Sequence, residues 1–291
     1  MEVSQRFAVL LDNLKLTSTQ QDDGRTKHAG VRSALNAHYY GTSSQYANSL
    51  LVGSWGKSTA TRPPRDIDVM FVLPLSVYER YERVTGNKQS QLLQEIKGVL
   101  QRAYPSTTMR ADGQVIVVPF TSYAVEVVPA FLLTSGQYYI CDTNGGGRYK
   151  TVDPVAEEKA IGASDTQTNG NARNLIKMMK RWQDNCAVPI KSFWIELLAT
   201  NFLTAYTYAN KSTVYYDWMV RDFLTFLVSK ANTYTNAPGT GELIWLSDAW
   251  KSRAESAESR AQKACTYESE KKGDAAGEEW QKIFGTDIPR G

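Results

Sequence analysis

The chain has 291 residues, 42% hydrophobic and 22% charged, with a net charge of +3, which bounds it to one large or two small globular units and shows no broad footprint for nucleic acid. Its three cysteines, Cys141, Cys186 and Cys265, stand far apart and read as free thiols of a reducing compartment, while only two histidines, His28 and His38, argue against a zinc site or a histidine-based triad. The N-terminus has no basic region followed by an apolar core, and no stretch has the length and apolarity of a membrane span, so the expected location is the cytoplasm.

Val3, Phe7, Leu10, Leu11 and Leu14 recur at helical spacing and predict an opening amphipathic helix. Thr17-Ser18-Thr19 offers a cap for a second helix, interrupted or delayed near Asp22-Asp23-Gly24. Val31, Leu35 and His38 or Tyr39 carry its stripe to a stop at Gly41. Ser49-Leu50-Leu51-Val52 then reads as a short strand, and the chain turns through Gly53-Ser54-Trp55-Gly56-Lys57-Ser58-Thr59. Gly56-Lys57-Ser58 invites a phosphate-loop reading, but that motif needs a glycine where Leu51 stands. After the loop comes Asp66-Ile67-Asp68, running into Val69-Met70-Phe71-Val72-Leu73, a strongly β-prone segment. Carboxylates two apart on a strand share a face, while Ile67 between them points into a core. Such like charges repel unless a cation sits between them, and oxygen-ligand ions such as Mg²⁺ are the natural occupants. Asp-x-Asp alone is common on solvated strands and Gly-Ser alone is a turn. The signal is their order: strand, Gly-Ser, loop, acidic strand.

Pro74 ends that pairing, and Leu92, Leu93, Ile96, Val99 and Leu100 form the apolar face of a helix that stops by Pro105. Thr107 to Ala111, a turn at Asp112-Gly113, and Gln114 to Val118 predict a hairpin. Tyr123-Ala124-Val125-Glu126-Val127-Val128-Pro129 is a third strand with one carboxylate at its centre. A lone Glu on a strand is usually its solvent side, but Ala124 and Val128 share the face of Glu126, and a carboxylate among apolar neighbours calls for a partner or a metal. The expected sheet is mixed, with about four or five strands. Tyr138-Tyr139-Ile140 and Arg148-Tyr149-Lys150 flank Asn144-Gly145-Gly146-Gly147, a hairpin tip rather than a phosphate cradle because no helical pattern follows it.

From about residue 153 helical periodicity takes over. Asn169 or Asn171 caps a helix with the stripe Ala172, Leu175, Ile176, Met179 and Trp182; Lys177, Lys180 and Arg181 lie beside it, and Lys177 and Arg181 read as solvated. Pro189 separates this helix from the next, which runs from Lys191 to about Tyr206 with Ser192 as cap or first turn, a position suited equally to capping and to phosphate. Phe193 suits a nucleobase stack or the core. Tyr215, Trp218, Met219, Asp222, Phe223 and Phe226 predict a further helix with core aromatics, residues 235–241 a loop, 247–270 a polar surface helix, and 275–284 a last short helix.

Gly53-Ser54, Asp66-Ile67-Asp68 and Glu126 together resemble the active site of the polymerase-β-like nucleotidyltransferases. Within that superfamily the chain is most similar to the cGAS/DncV-like nucleotidyltransferases (CD-NTases), relatives of oligoadenylate synthase. Asn174-Leu175-Ile176-Lys177-Met178-Met179-Lys180-Arg181-Trp182 resembles the family helix with a triphosphate-binding lysine, and Pro189-Ile190-Lys191-Ser192-Phe193-Trp194 the start of the next, with a phosphate-contacting serine and an aromatic. Trp280-Gln281-Lys282-Ile283-Phe284-Gly285 resembles the usual ending, so the likeness spans nearly the whole chain. Glu126 departs from it, since Asp is commoner there; it reaches one methylene further.

The resemblance implies an α+β fold: a nucleotidyltransferase core of mixed sheet with N-terminal bracing helices over 1–160, a helical lobe over 161–291, and the active site in the cleft between. It implies Asp66, Asp68 and Glu126 as catalytic ligands of two Mg²⁺ (or Mn²⁺) ions, with Gly53, Ser54, Lys180, Ser192 and Phe193 binding nucleotide. The expected activity is template-independent joining of ATP and other NTPs into a cyclic di- or trinucleotide or a linear oligonucleotide, a second messenger of bacterial antiphage defence, under a possible regulatory protein from a neighbouring gene. No stable DNA or RNA template is expected. Two other readings stay open: transfer to a small molecule or an RNA end, and a catalytically silent nucleotide-binding scaffold.

Overall fold

The opening apolar repeat forms α1 (Val3–Leu14), which buries Phe7, Leu10 and Leu14. Thr17 starts α2 (Ser18–Tyr40) with a reciprocal cap: its hydroxyl accepts from the Gln20 amide, and the Gln20 side chain accepts from the Thr17 amide. The helix runs unbroken through Asp22-Asp23-Gly24 to a left-handed Gly41, so the expected interruption is absent. Gly24 serves packing instead, because a Cβ there would collide with the Trp55 ring.

The computed structural model describes residues 1–291, the side chain of Asp112 excepted. The chain sorts into two units, one of Leu16–Ala60 and Pro64–Ala156, the other of Met1–Lys15, Thr61–Pro63 and Glu157–Gly291. The first is built on a sheet. Its elements after α2 are β1 (Ser49–Leu51), the single turn α3 (Gly53–Gly56), β2 (Ile67–Val72), α4 (Leu75–Glu82), α5 (Lys88–Ala103), β3 (Arg110–Asp112), β4 (Val115–Pro119), β5 (Ala124–Leu132), β6 (Tyr138–Asp142) and β7 (Arg148–Val152). Seven strands pair in the order β1-β2-β5-β4-β3, with β6 also on β5 and β7 beyond it. The sheet exceeds the expected strand number because the nine-residue β5 pairs twice: Ala124–Val127 with β4, and Ala130–Leu132 with β6. Strands β2 and β5 run parallel and the other pairs antiparallel, so the sheet is mixed. The predicted hairpin is present, but its turn is Gly113-Gln114, one residue later than read: Asp112 pairs with Val115 and Gly113 has φ +63°. Pro74 caps α4, which the sequence reading missed.

Alternation along the strands decides which face is buried. Ile67, Val69, Phe71, Val125 and Val127 face the main core, where they meet Val31 and Leu35 of α2 and Leu92, Leu93, Ile96 and Leu100 of α5. The opposite face carries only a small cluster of Met70, Ala130, Tyr138 and Ile140.

The second unit is helical. After α1 it holds α6 (Pro154–Gln167, which begins in the sheet unit), α7 (Asn171–Asn185), α8 (Ser192–Ala205), α9 (Tyr216–Val228), the hairpin β8 (Tyr234–Asn236) and β9 (Leu243–Trp245), α10 (Lys251–Ser269) and α11 (Gly273–Phe284). The stripe read for α7 is fully buried, with Trp182 packed in one core with Phe7, Trp250 and Trp280. The stretch 235–241 is not simply a loop: Thr235 and Asn236 end β8 and pair with Ile244 and Leu243, and the rest is the connection of that hairpin. Helix α10 is not merely superficial: Ala254, Ala257, Ala261 and Ala264 form a buried stripe. Arg181, read as solvated, is half-buried, pairs with Asp287 at 2.6 Å and donates to the Phe284 carbonyl at 3.0 Å. Arg6 is fully buried; it pairs with Glu268 and donates to the carbonyls of Gly273, Pro289 and Arg290. Among the described residues no helix is long and apolar enough to cross a membrane.

Candidate active site

The acidic site is assembled by one strand pairing. Asp66 is exposed and immediately precedes β2; Asp68 lies within it, half-buried; Ile67 between them is fully buried in the main core. In the parallel register of β2 and β5, Asp68 stands directly beside Glu126. Asp68 and Glu126 project on the face that carries the small cluster, where Glu126, half-buried, sits between Ala124 and Val128. Burial pushes the Glu126 carboxyl up to about 7, and the charges of Asp66 and Asp68 push the same way, against a smaller pull from Arg110. The segments read from sequence as one acidic cluster therefore do meet, close enough to feel each other's charge.

The turn before β2 is fitted to this cluster. Gly53 has φ +57°, the left-handed region, and its Cα faces Asp68 so closely that a Cβ would overlap the carboxylate. The Asp68 carbonyl accepts from the Val52 amide at 3.0 Å, tying turn to strand. A Cβ on Gly56 would collide with the Leu51 carbonyl, so both glycines are required by close approach. Ser54, half-buried, is the second residue of the helical turn, and its carbonyl accepts from the Thr59 amide at 2.9 Å. Trp55 packs edge-on against His28 and Tyr123, anchoring the turn to α2 and to the residue just before β5. Lys57 is buried, so Gly56-Lys57-Ser58 belongs to the packing of this corner.

In the helical unit, Lys180 is buried and its ammonium pairs with Glu196 of α8 at 2.6 Å. Ser192 opens α8 and its hydroxyl donates to the Gln183 side chain at 2.9 Å; Phe193 beside it is half-buried. The sequence reading did not anticipate Glu196 as the partner of Lys180. It also read Lys177 as solvated, whereas desolvation, and then Arg173, Lys15 and Lys180, hold its ammonium below the usual lysine range against a weaker pull from Asp165. The available signal was the spacing of Arg173, Lys177 and Lys180, which puts three cations along one side of a helix.

Three carboxylates are hard oxygen donors, the set that suits Mg²⁺ or Mn²⁺. Among the described residues no three His, Cys, Asp or Glu side chains close into a finished coordination group. After burial, the charges of Asp66 and Asp68 also raise the Glu126 carboxyl, and that part is a repulsion that a divalent cation would relieve. In its chemistry the donor set fits.

Comparison with known proteins agrees with this geometry. A family model described as the Second Messenger Oligonucleotide or Dinucleotide Synthetase (SMODS) domain matches residues 1–164. A probable cyclic nucleotide synthase of Bacillus cereus is 24% identical, over 84% of this chain and 83% of that protein. A cyclic AMP-AMP-AMP synthase of an Acinetobacter strain is 22% identical, over 100% of this chain and 86% of its own. The fold matches that of Escherichia coli CdnC, solved with ATP and in complex with a HORMA protein, at a TM-score of 0.69 and 19% identity over 98% of both chains. By its match over more than half of the sequence, and by the mixed sheet that brings Asp68 beside Glu126, the chain belongs to the SMODS family of CD-NTase nucleotidyltransferases.

Proposed function

We propose that this chain joins nucleoside triphosphates, without a template, into a cyclic di- or trinucleotide or a linear oligonucleotide second messenger. The observation that carries the reading is the register of β2 on β5, which aligns Asp68 with Glu126 next to a glycine turn shaped around Asp68. Asp66, Asp68 and Glu126 would hold the divalent cations. Bound Mg²⁺ or Mn²⁺ would supply Lewis-acid activation of a ribose hydroxyl and neutralise charge on the departing pyrophosphate. The chain itself positions the reactants. Gly53 and Ser54 present backbone amides and a hydroxyl to the donor phosphates. Lys180, held in place by Glu196, and Ser192 at the start of α8 add cationic and hydroxyl contacts, and Phe193 offers a ring to a base. The hydroxyl gives up its proton to water as its oxygen bonds to the α-phosphorus and the bond to pyrophosphate breaks. No nucleophilic side chain is required, because proximity and electrostatics do the work.

The name of the Acinetobacter relative supports ATP as a substrate, and the HORMA complex of CdnC supports a search for a regulatory protein encoded nearby. Placement in the cytoplasm and in antiphage signalling completes the reading. The test incubates the protein with each labelled triphosphate and Mg²⁺ or Mn²⁺, then with phosphatase. Retained label is expected, since only an internally linked or cyclic product survives. Asp66→Asn and Asp68→Asn should each lower the rate by on the order of 10²–10³-fold while leaving the melting temperature near wild type. A protein that binds ATP yet retains no label, even with its neighbouring regulator added, would overturn the proposal.

A further inference from the structure

The helical unit holds a concave site apart from the acidic cluster. It is a cavity of about 570 Å³ between α9 and α10, lined by Tyr208, Trp218, Arg221, Gln262, Cys265, Thr266 and Ser269, a size typical of small-ligand pockets. Every lining residue lies in the helical unit and none in the sheet that carries Asp66, Asp68 and Glu126.

Its wall is a fixed set of rings. Tyr208 and Tyr215 stack at 5.0 Å and 14°, and Trp218 stands edge-on to both, at 5.4 and 5.6 Å. Trp218 nevertheless remains 38% exposed, unusual for a tryptophan so well braced. Arg221, one helical turn further along α9, is oriented from behind: its Nε donates to Asp222 at 2.7 Å, and the other Asp222 oxygen accepts from Tyr206 at 3.0 Å. Its two terminal nitrogens have no acceptor among the described residues. They form the fork that recognises a carboxylate or phosphate. On the α10 side, the hydroxyls of Thr266 and Ser269 donate to the carbonyls of Gln262 and Thr266, which leaves their oxygens free to accept; the Gln262 side-chain oxygen also lacks a donor among the described residues.

A ring wall, a preset cation and a row of acceptors call for a planar heteroaromatic ring that donates hydrogen bonds and carries an anionic group. We propose that this cavity binds a purine nucleoside monophosphate, its base stacked at Trp218 and Tyr208, its exocyclic amine directed to α10 and its phosphate on Arg221. This makes it a nucleotide site separate from the catalytic one, able to report nucleotide supply or product breakdown to the helical unit.

The test is calorimetric titration of the full-length protein with AMP in chelator-treated, metal-free buffer, with adenosine and ribose 5-phosphate as separate arms. Saturable AMP binding is expected, with each fragment at least about tenfold weaker, since stacking and the charged fork each account for roughly that factor. Arg221→Gln should weaken AMP about 10–100-fold and leave adenosine unchanged. Trp218→Leu should weaken both AMP and adenosine, and Trp218→Tyr, which keeps a ring, should restore most of the affinity. Synthesis by Arg221→Gln in saturating triphosphate should match wild type, separating failure here from failure of the acidic-site reading. No saturable AMP binding, or binding that Arg221→Gln and Trp218→Leu leave untouched, overturns the proposal. Equal affinity for ribose 5-phosphate alone would also overturn it, reducing the site to a phosphate contact.

Discussion

Glu126 carries its charge reluctantly, and the consequence is visible in pH. Its folded ionisation lies near 7, above the ordinary carboxylate value of 4.5, because burial and two aspartates oppose the negative form. The folded state therefore holds this proton more tightly than the unfolded one. The stabilisation is complete below about pH 4.5 and is lost as pH rises to about 7. Metal-free Glu126→Gln protein should lack that loss, and the difference in melting temperature between variant and wild type should widen in the variant's favour from pH 4.5 to 7. In the wild type the Mg²⁺ concentration for half-maximal rate should be about tenfold higher at pH 6 than at pH 8, because the cation must displace the proton. His28 titrates with the opposite sign. Burial first, then Arg32 and Arg25, hold it down to about 4, and both ring nitrogens lack partners among the described residues. It folds neutral, so stability is full above about 6.5 and falls as pH drops towards 4, by about 3 kcal/mol once the unfolded chain is protonated. His28→Leu should flatten the acid limb of a urea-denaturation series; a limb unchanged by the substitution would refute this account. The acidic residues were legible because period-two alternation fixes a face. The surroundings of Lys177 were not, since its cationic neighbours include Lys15, on a segment far away in sequence.

Among the elements, α7 and α8 are joined by the buried pair of Lys180 and Glu196. Lys180→Met strands a carboxylate in the core and should cost about 3–5 kcal/mol, so a loss of activity in that variant alone proves nothing about phosphate. Lys180→Met combined with Glu196→Met removes both charges and should regain most of the stability. Synthesis that stays low in the refolded double variant assigns Lys180 to the nucleotide; synthesis that returns with stability assigns it to packing. Long periodic helices such as α1, α5 and α7 were legible from their apolar repeats. Helix α4 was not, because Val77 and Tyr81 are its only buried residues among those described, too few to show a period. Helix α10 was placed on the surface because its inward stripe is alanine, which reads as neither clearly apolar nor polar. The β8–β9 hairpin escaped because each strand has three residues.

On the scale of the whole molecule, the change from strands to helices near residue 153 was plain in the sequence, but the grouping of α1 was not. Its residues join a core made mostly after residue 157, and Arg6 reaches carbonyls near residue 290. No local pattern announces a partner so distant along the chain. The same holds for the pairing of β2 with β5, which joins strands further apart in sequence than β1 with β2, β4 with β5, or the hairpins. Contacts that close such long loops form late. A chain still leaving the ribosome, or one refolding from urea, can zip its hairpins before Asp68 meets Glu126. Refolding followed by far-ultraviolet dichroism should accordingly recover much of its signal before any nucleotide is joined, and activity should return only with the final closure of the sheet. If the proposed acidic site is the working one, an oligonucleotide synthase built in this way would stay silent in every unfinished copy.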